Sequence, residues 1–312
     1  AGRTSGGAVD LMWINGENFR TLREADLLFG PFAEQLPNRA LVDGTAPSIL
    51  NDFGFPVDGY ESPYGSAQFV MIYDSAVVPQ PPRTIPELYT WIRENPGRFT
   101  YPAAPDFTGS AFIRHLFYHA AGGYQELLGP FSELEFSSVA PSAWEAMNAL
   151  EPFLWREGRT YPESQTQLNS LYANGEVDFA MSYNPVEAAT LVEQQRFPAS
   201  TRTFVFDTGT IGNTHFVAIP FNSSAQAGAM VVANFLLSPE AQYQKARPEV
   251  WGDMTVLDLD RIPAEWQERF ASLPQPPAVL STSALAERRI PELTAAWLAA
   301  IEAGWLDNVL ED

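Results

Sequence analysis

The sequence of 312 residues has no cysteine and only one lysine, Lys245, among its 18 basic residues. The absence of cysteine excludes disulfides, cysteine-ligated zinc, iron–sulfur clusters and thiol catalysis. No run reaches the ~18 consecutive apolar residues of a membrane-spanning helix. The GxSxG, GxxxxGK(S/T) and GxGxxG motifs, which mark hydrolases, phosphate loops and dinucleotide sites, are also absent from the sequence. We therefore expect no cofactor and find no catalytic constellation.

Acidic residues outnumber basic ones by 38 to 18, so the formal net charge is −20 at pH 7. Nucleic-acid binding needs a cluster of Lys and Arg, which the sequence lacks, so we expect no nucleic-acid partner. The same charge disfavours docking on anionic lipid. Arginine supplies 17 of the 18 basic residues. With the acidic excess, this leads to the hypothesis of adaptation to high salt, where self-repulsion is screened.

Apolar residues make up 46% of the chain, enough for sizeable cores. At ~150 residues per domain the length predicts about two domains. Predicted strands alternate with predicted helices across short turns of Gly, Pro and Asn, which is typical of the α/β class with mainly parallel sheets. Ligands of such proteins bind beyond the carboxyl ends of strands. The loops that fit this rule are residues 15–19, 106–110, 182–185 and 210–215.

The loop after the first predicted strand carries Asn15, Glu17 and Asn18. These residues favour a turn, and Glu17 also suits the positive end of the helix that follows. The other interpretation is that the same side chains contact a ligand, with Glu17 pairing with a cationic solute.

The loop at residues 106–110 opens a helix that Asp106 or Thr108 is expected to cap. The exposed N–H groups of Gly109 and Ser110 could also receive a carboxylate, phosphate or sulfonyl oxygen. Gly109 has no side chain, which lets a ligand come close to the backbone. All four residues are therefore candidate ligand contacts.

Three aromatic residues and one asparagine complete the candidate site. Tyr183 and Asn184 follow a predicted strand, and Pro185 keeps Asn184 out of the α region, so its side chain is expected to point away from the sheet edge. Tyr64 is interpreted either as a packed aromatic or as a wall of the site. Trp144, at a predicted helix start, is either a core residue or a ring that stacks on a ligand.

His115 and His119 lie four residues apart on one predicted helix, which is a metal-ligand spacing. His215 is the only other histidine, and no HExxH glutamate accompanies the pair. Packing is therefore the preferred interpretation, and we expect no metal site.

The candidate loops, in their order, resemble those of periplasmic solute-binding proteins of ABC importers. The resemblance is to the two-lobed class that includes polyamine, thiamine and ferric-ion binders, and within it to the YnjB-like branch. Paired adjacent tyrosines are typical of the ferric-ion binders, and no Tyr-Tyr occurs here. The segments that carry the resemblance are residues 9–19, 27–32, 63–68, 84–88, 105–110, 181–185 and 233–242.

The resemblance implies a type II periplasmic-binding-protein fold, in which two lobes are joined by crossover strands near 68–73 and 213–219. Lobe 1 would comprise residues 1–72 and 214–312, and lobe 2 residues 73–213. Family members open with a strand, a helix and a strand before the segment that matches Val9–Ile14, and lobe 1 is expected to lack them here. We interpret the abrupt start as that of a trimmed, exported chain whose targeting segment has been removed.

The resemblance also implies a function. The protein is expected to capture a small polar or cationic solute, thiamine-like or polyamine-like, in a cleft between lobes that close by hinge bending. It would act as a periplasmic monomer and deliver the solute to the membrane-embedded permease of an ABC importer. The alternative is an enzyme, a transferase or hydrolase, on the same fold. A carboxylate pair with perturbed pKa values deep between the lobes would favour that alternative.

Overall fold

The structure, a computed structural model, describes residues 4–310. These residues form two compact units. Unit 1 consists of the described residues up to Ala67 together with Asn213–Pro274. Unit 2 consists of Gln68–Gly212 together with the described residues from Gln275 onward. The chain therefore passes from one unit to the other after Ala67, after Gly212 and after Pro274.

Helices and strands alternate along the chain, as the sequence predicts for the α/β class. The α-helices in chain order are α1 (Gly16–Glu24), α2 (Pro47–Leu50), α3 (Ile85–Glu94), α4 (Phe107–Ala120), α5 (Glu133–Asn148), α6 (Gln165–Ala173), α7 (Glu187–Glu193), α8 (Gln226–Leu236), α9 (Pro239–Ala246), α10 (Ala264–Ala271), α11 (Thr282–Glu287) and α12 (Ala295–Trp305). The β-strands are β1 (Met12–Ile14), β2 (Leu28–Phe29), β3 (Asn51–Asp52), β4 (Phe55–Pro56), β5 (Glu61–Gln68), β6 (Val70–Asp74), β7 (Phe179–Ser182), β8 (Thr201–Phe204), β9 (Thr210–Pro220) and β10 (Arg289–Ile290).

Strand β9 organises the sheet of unit 1. Successive side chains of a strand point to opposite faces. Phe216 and Ala218 face one core cluster, which also holds residues of α1 and β2. Val217 and Ile219 face another, which holds residues of α8. Because both faces are covered, apolar residues follow one another in β9 without polar alternation. Strand β1 pairs with β9 in the antiparallel direction, and Trp13 lies opposite Val217.

Unit 2 is built around strand β6 and helix α4. Strand β6 pairs with both β7 and β8, and its residues Val70, Met71 and Ile72 are fully buried. Helix α4 is buried from Thr108 to Tyr118, which explains why this segment is apolar on nearly all sides. The N-terminus of α4, where the sequence places ligand contacts, is therefore held by the interior of unit 2.

The expectation of mainly parallel sheets is wrong. Strands β1 and β2 pair with β9 in the antiparallel direction, and so do β7 and β8 with β6 and β3 with β4. Strand β10, which runs beside the start of β9, forms a parallel pair with it. The order of strands and helices in a sequence does not fix strand direction, because that depends on which distant strands become neighbours.

The structure differs from the predicted division of the chain at the C-terminal end. Residues from Gln275 onward, predicted to belong to lobe 1, group with unit 2. The ring of Trp297 lies 5.1 Å from that of Phe131, and Nε1 of Trp305 donates to the hydroxyl of Tyr101 at 3.1 Å. Burial of these two tryptophans holds the segment in unit 2.

Candidate functional site

Four aromatic rings lie together in unit 1, and we call them the aromatic patch: Trp13, Tyr64, His215 and Trp251. The centroids of contacting rings are 5.3 to 6.5 Å apart. Trp13 is 62% exposed and Trp251 41% exposed, whereas Tyr64 is buried beneath them. The patch therefore offers two open indole rings to a solute, on a base that is packed.

The strand pattern explains how the patch is assembled. In β1, Ile14 faces the core and Trp13 faces the opposite side. Trp13 lies opposite Val217 of β9, so His215, two residues before Val217, is its diagonal neighbour on the same face. Trp251 joins from the loop that follows α9, and its ring is nearly parallel to that of His215.

A buried ion pair lies against the patch. Nζ of Lys245 is 2.9 Å from Oδ2 of Asp253, and Oδ1 of Asp253 is 3.2 Å from Nε2 of His215. The ammonium also donates to the backbone carbonyl of Tyr64. Burial lowers the pKa of Lys245, and the charge of Asp253 opposes that effect. Burial, assisted by the charge of Asp253, raises the pKa of the Tyr64 hydroxyl.

Gly65 makes room for this ion pair. A Cβ on residue 65 would lie 1.9 Å from Oδ2 of Asp253 and 2.8 Å from Nζ of Lys245. Any side chain at this position would therefore displace one partner of the pair.

In unit 2 the candidate loop at residues 106–110 is engaged with its own protein. Oδ1 of Asp106 accepts the N–H groups of Thr108 and Gly109 at 3.0 Å each. The N–H of Ser110 donates to the carbonyl of Asp106 at 2.8 Å. In this structure these N–H groups therefore serve the cap and first turn of the helix, as the capping interpretation predicts. Gly109 is also needed for packing, since a Cβ would lie 2.1 Å from the carbonyl oxygen of Pro102.

The structure brings this loop together with the second candidate loop of unit 2. The ring of Phe107, which is 40% exposed, lies 4.8 Å from that of Tyr183. The hydroxyl of Tyr183 donates to Glu292, whose carboxylate is 3.2 Å from the buried guanidinium of Arg114. Burial raises the pKa of Glu292, and the charge of Arg114 opposes this. Phe107 is therefore a partly exposed ring whose neighbour, Tyr183, is oriented by a hydrogen bond to Glu292.

Side chains of these two loops share further polar partners. Oγ of Ser110 donates to Glu302 at 2.6 Å and accepts from Arg114 at 2.9 Å. Oγ1 of Thr108 donates to Gln165 at 2.7 Å. The side chain of Asn184 closes its own turn by accepting the N–H of Val186 at 3.0 Å.

The remaining predicted residues lie at two places. Asn15, Glu17 and Asn18 are exposed at the start of α1, just beyond Trp13 of the patch, and Asn18 donates to the side chain of Asn15 at 2.8 Å. Trp144 is buried, with its ring 4.8 Å from that of Phe117. Its contacts match the core-packing interpretation, and a ligand-stacking role for it stays a prediction.

Sequence reasoning missed most of the patch. Trp13 was part of a predicted strand, but only the pairing with β9 reveals that it points outward. His215 was considered as a metal ligand and as the last residue of the candidate loop at 210–215, but not as part of an aromatic site, and Lys245 was considered only as a feature of composition. The missed residues are Trp13, His215, Lys245, Trp251 and Asp253.

Metal binding was considered for the histidines, of which His115 is the buried one. Within residues 4–310, no group of three or more His, Cys, Asp or Glu residues is arranged to hold a metal ion. His115 is fully buried, accepts the N–H of Ile211 at 3.0 Å and contacts the carbonyl of Ala111 at 2.7 Å. Burial lowers its pKa to about 3, so a neutral ring with its proton on Nδ1 satisfies both contacts. This histidine is a packing residue.

The carboxylates of Glu61 and Asp52 are buried in unit 1. Burial, and secondly the charge of Asp52, raises the pKa of Glu61 well above its usual value. Both residues are closed off from solvent. A substrate could not reach them, so this pair does not favour an enzyme.

The sequence matches the family of bacterial extracellular solute-binding proteins over residues 1–267. The chain belongs to this family. It is 43% identical over 308 residues to protein YnjB of Escherichia coli K12, an alignment that covers 98% of this chain and 76% of YnjB.

Solved structures with the same fold are binding proteins of transporters. One is the spermidine/putrescine substrate-binding protein PotD of Streptococcus pneumoniae, with a TM-score of 0.69, 15% identity, and coverage of 97% of this chain and 84% of that one. A periplasmic thiamin binding protein has a TM-score of 0.57 and 18% identity, with coverage of 97% of this chain and 79% of that one. Apo ferric ion-binding protein A of Pasteurella haemolytica has a TM-score of 0.63 and 12% identity, with coverage of 98% of this chain and 84% of that one.

These comparisons confirm the predicted family and the type II periplasmic-binding-protein fold. The protein is an exported solute-binding protein of the ABC transporter class, and its family and structural neighbours are transport proteins, not enzymes. Such proteins bind small molecules and work with membrane permease components. Among the residues that the structure describes, no helix is both long and apolar enough to cross a membrane.

Proposed function

We propose that this protein captures a small polar or cationic solute, thiamine-like or polyamine-like, in the periplasm and delivers it as a monomer to the permease of an ABC importer. The observation that carries the proposal is the aromatic patch, with its two open indole rings above a packed, polar base. Small-molecule sites combine apolar and aromatic walls with a few convergent polar groups.

Two properties favour a solute that carries positive charge. Faces of tryptophan attract cations within about 6 Å of the ring centroid. The net charge of −20 attracts cations over longer distances and repels anions. Two structural relatives are described as binders of spermidine/putrescine and of thiamin, which agrees with this chemistry.

The other predicted residues are proposed as further contacts. Asn15, Glu17 and Asn18 follow Trp13 in the chain and are exposed, which supports the proposal that they contact a solute on the patch. In unit 2 we propose Phe107 together with Tyr183 and Asn184 as a second contact surface. Asp106, Thr108, Gly109 and Ser110 remain proposed contacts of the same surface, and the side chains of Asp106, Thr108 and Ser110 are hydrogen-bonded within unit 2.

A thermal-shift screen over vitamins, polyamines, amino acids and sugars tests the proposal. A ligand at 100 times its Kd stabilises the folded state by about 2.7 kcal/mol, which shifts Tm by several degrees. We expect at least one cationic or ring-bearing solute to produce such a shift. Isothermal titration then gives its affinity.

The variant Trp13→Ala connects binding to the patch. Loss of one stacking ring should weaken binding about 10-fold, since such contacts contribute about 1–2 kcal/mol. Phe235→Ala is the matched control, because Phe235 is a similarly exposed aromatic residue of unit 1 that lies on α8. A screen in which no solute stabilises the protein, or equal effects of the two variants, would contradict the proposal.

A further inference from the structure

The chain uses arginine for every basic residue but one, and that one lies against the aromatic patch. Lys245 is the only lysine. Its Nζ is 4.7 Å from the ring centroid of Tyr64 and 5.6 Å from that of Trp251. We propose that the Lys245–Asp253 pair is the positioning and selectivity element of the patch, and that it selects solutes with a planar heteroaromatic ring over aliphatic polyamines. This inference rests on the proposed solute-binding function.

The contacts of Lys245 fix the rings around it. Its ammonium donates to the backbone carbonyl of Tyr64, and Gln242 donates to the same oxygen at 2.7 Å. Asp253 links the ammonium to the ring of His215. The charged pair thus contacts three of the four rings, because Nζ of Lys245 also lies over the rings of Tyr64 and Trp251, and hydrogen bonds to charged groups are the strong ones. The orientation of the rings is set before a solute arrives.

The space around the ammonium explains why this residue is a lysine. Asp253 and Lys245 occupy the position that a Cβ on Gly65 would need, at 1.9 and 2.8 Å. An ammonium is a compact group with three donors, whereas a guanidinium is a wide planar fork. We therefore expect a guanidinium at this position to displace Asp253 or the backbone of Gly65.

The charges at the patch discriminate between the two solute classes. A polyamine binds through ammonium groups that need carboxylates and free ring faces. Both oxygens of Asp253 are already engaged, by Lys245 and by His215. The ammonium of Lys245 takes the cation–π contacts of Tyr64 and Trp251, and it repels the three charges of spermidine more strongly than the single charge of thiamine. The planar ring of thiamine gains in addition from stacking on the open indole of Trp13.

The first experiment uses the fact that the chain has one lysine. Protein labelled with 13C-lysine gives a single lysine spin system, and the probes are thiamine and spermidine. We expect the Hε resonance of Lys245 to lie upfield of its position in an exposed lysine, because aromatic ring currents act on it. We also expect its amine to titrate below the ordinary value of 10.5, and thiamine to shift the resonance in a saturable way. Chemical shifts of an exposed lysine that thiamine leaves unchanged would overturn the inference.

The second experiment measures selectivity by isothermal titration. The wild-type protein is expected to bind thiamine at least 10-fold more tightly than spermidine. Lys245→Met should weaken thiamine binding about 10-fold, because the rings lose the charged group that orients them. It should also reduce the ratio of the spermidine Kd to the thiamine Kd. Lys245→Arg keeps the positive charge, but its affinity for thiamine should also fall about 10-fold. Arg247→Met removes a positive charge from the same segment, where Arg247 pairs with Glu249, and should change neither affinity.

The outcomes separate this inference from the proposed function. If spermidine binds the wild-type protein more tightly than thiamine, the inference is wrong while the solute-binding function stands. The inference also fails if neither probe binds but another class of solute does, such as a sugar or an amino acid. If no solute in the full screen binds, the proposed function fails with it. The wild-type measurements need no variant, so a poorly folding Lys245 variant does not affect the decision.

Discussion

At the scale of single residues, Gly65 fits closely against the Lys245–Asp253 pair. Gly65→Ala would place a methyl group 1.9 Å from Oδ2 of Asp253. Overpacking of this kind costs about 1–3 kcal/mol, and separation of a buried ion pair adds to it. We expect urea unfolding to show a loss of at least about 2 kcal/mol. Gly228→Ala is the control, since residue 228 has space and lies in α8, where alanine is favourable. Equal urea midpoints for Gly65→Ala and Gly228→Ala would contradict this prediction.

Glu61 provides a pH-dependent prediction at the same scale. Burial raises its pKa well above 4.5 in the folded state, so the folded protein holds this proton more tightly than the unfolded chain does. The free energy of unfolding therefore falls as pH rises above about 4.5, and it stops falling once the carboxyl has ionised in the folded state. We expect Glu61→Gln to become more stable relative to wild type as pH rises from about 5 to 8. The exposed Glu265 is the control: Glu265→Gln should follow the wild-type curve.

At the scale of elements, helix α4 depends on one cap. Asp106 accepts two N–H groups of the first turn and also the N–H of Gln165 at 3.1 Å, which joins α4 to α6. Loss of such a cap costs about 1–2 kcal/mol, so Asp106→Ala should lower the free energy of unfolding by about this amount. The N-cap Asn15 of α1 makes no side-chain capping bond, and Asn15→Ala should change stability by less than about 0.5 kcal/mol. Thermal unfolding followed by circular dichroism measures both, and a neutral Asp106→Ala would refute the assignment.

Elements with local signals were predictable from the sequence, and those fixed by distant contacts were not. The capping box of Thr84 and Glu87 at the start of α3 is such a local signal, because both of its hydrogen bonds lie within one turn. Trp144 was predicted to lie at a helix start, but helix α5 begins at Glu133 and contains Pro141 in its interior, where a proline usually marks a helix boundary. The site divides in the same way. The strand-end loops of Asn15 and Tyr183 could be located from local pattern. Trp251 could not, because it reaches Tyr64 only through the fold.

At the scale of the whole molecule, the division of the chain depends on its C-terminal segment. Residues 275–310 place Glu292 and Glu302 beside Arg114 and Ser110, beneath the N-terminus of α4. No local feature of the sequence shows where a carboxylate near the end of the chain will find its partner, because Arg114 lies 178 residues earlier. The other two passages between units, after Ala67 and after Gly212, lie within or next to the strands β5 and β9.

The charge of the whole molecule gives the last prediction. A net charge of −20 on 312 residues produces self-repulsion that salt screens, since the Debye length falls from about 10 Å at 0.1 M to about 3 Å at 1 M. We therefore expect Tm at pH 7 to rise by several degrees between low and molar NaCl. Near the isoelectric point of about 4.4 the net charge vanishes, and the same salt should give little or no increase. An increase of equal size at both pH values would assign the effect to hydration instead of charge, and a constant Tm at pH 7 would remove the case for high-salt adaptation.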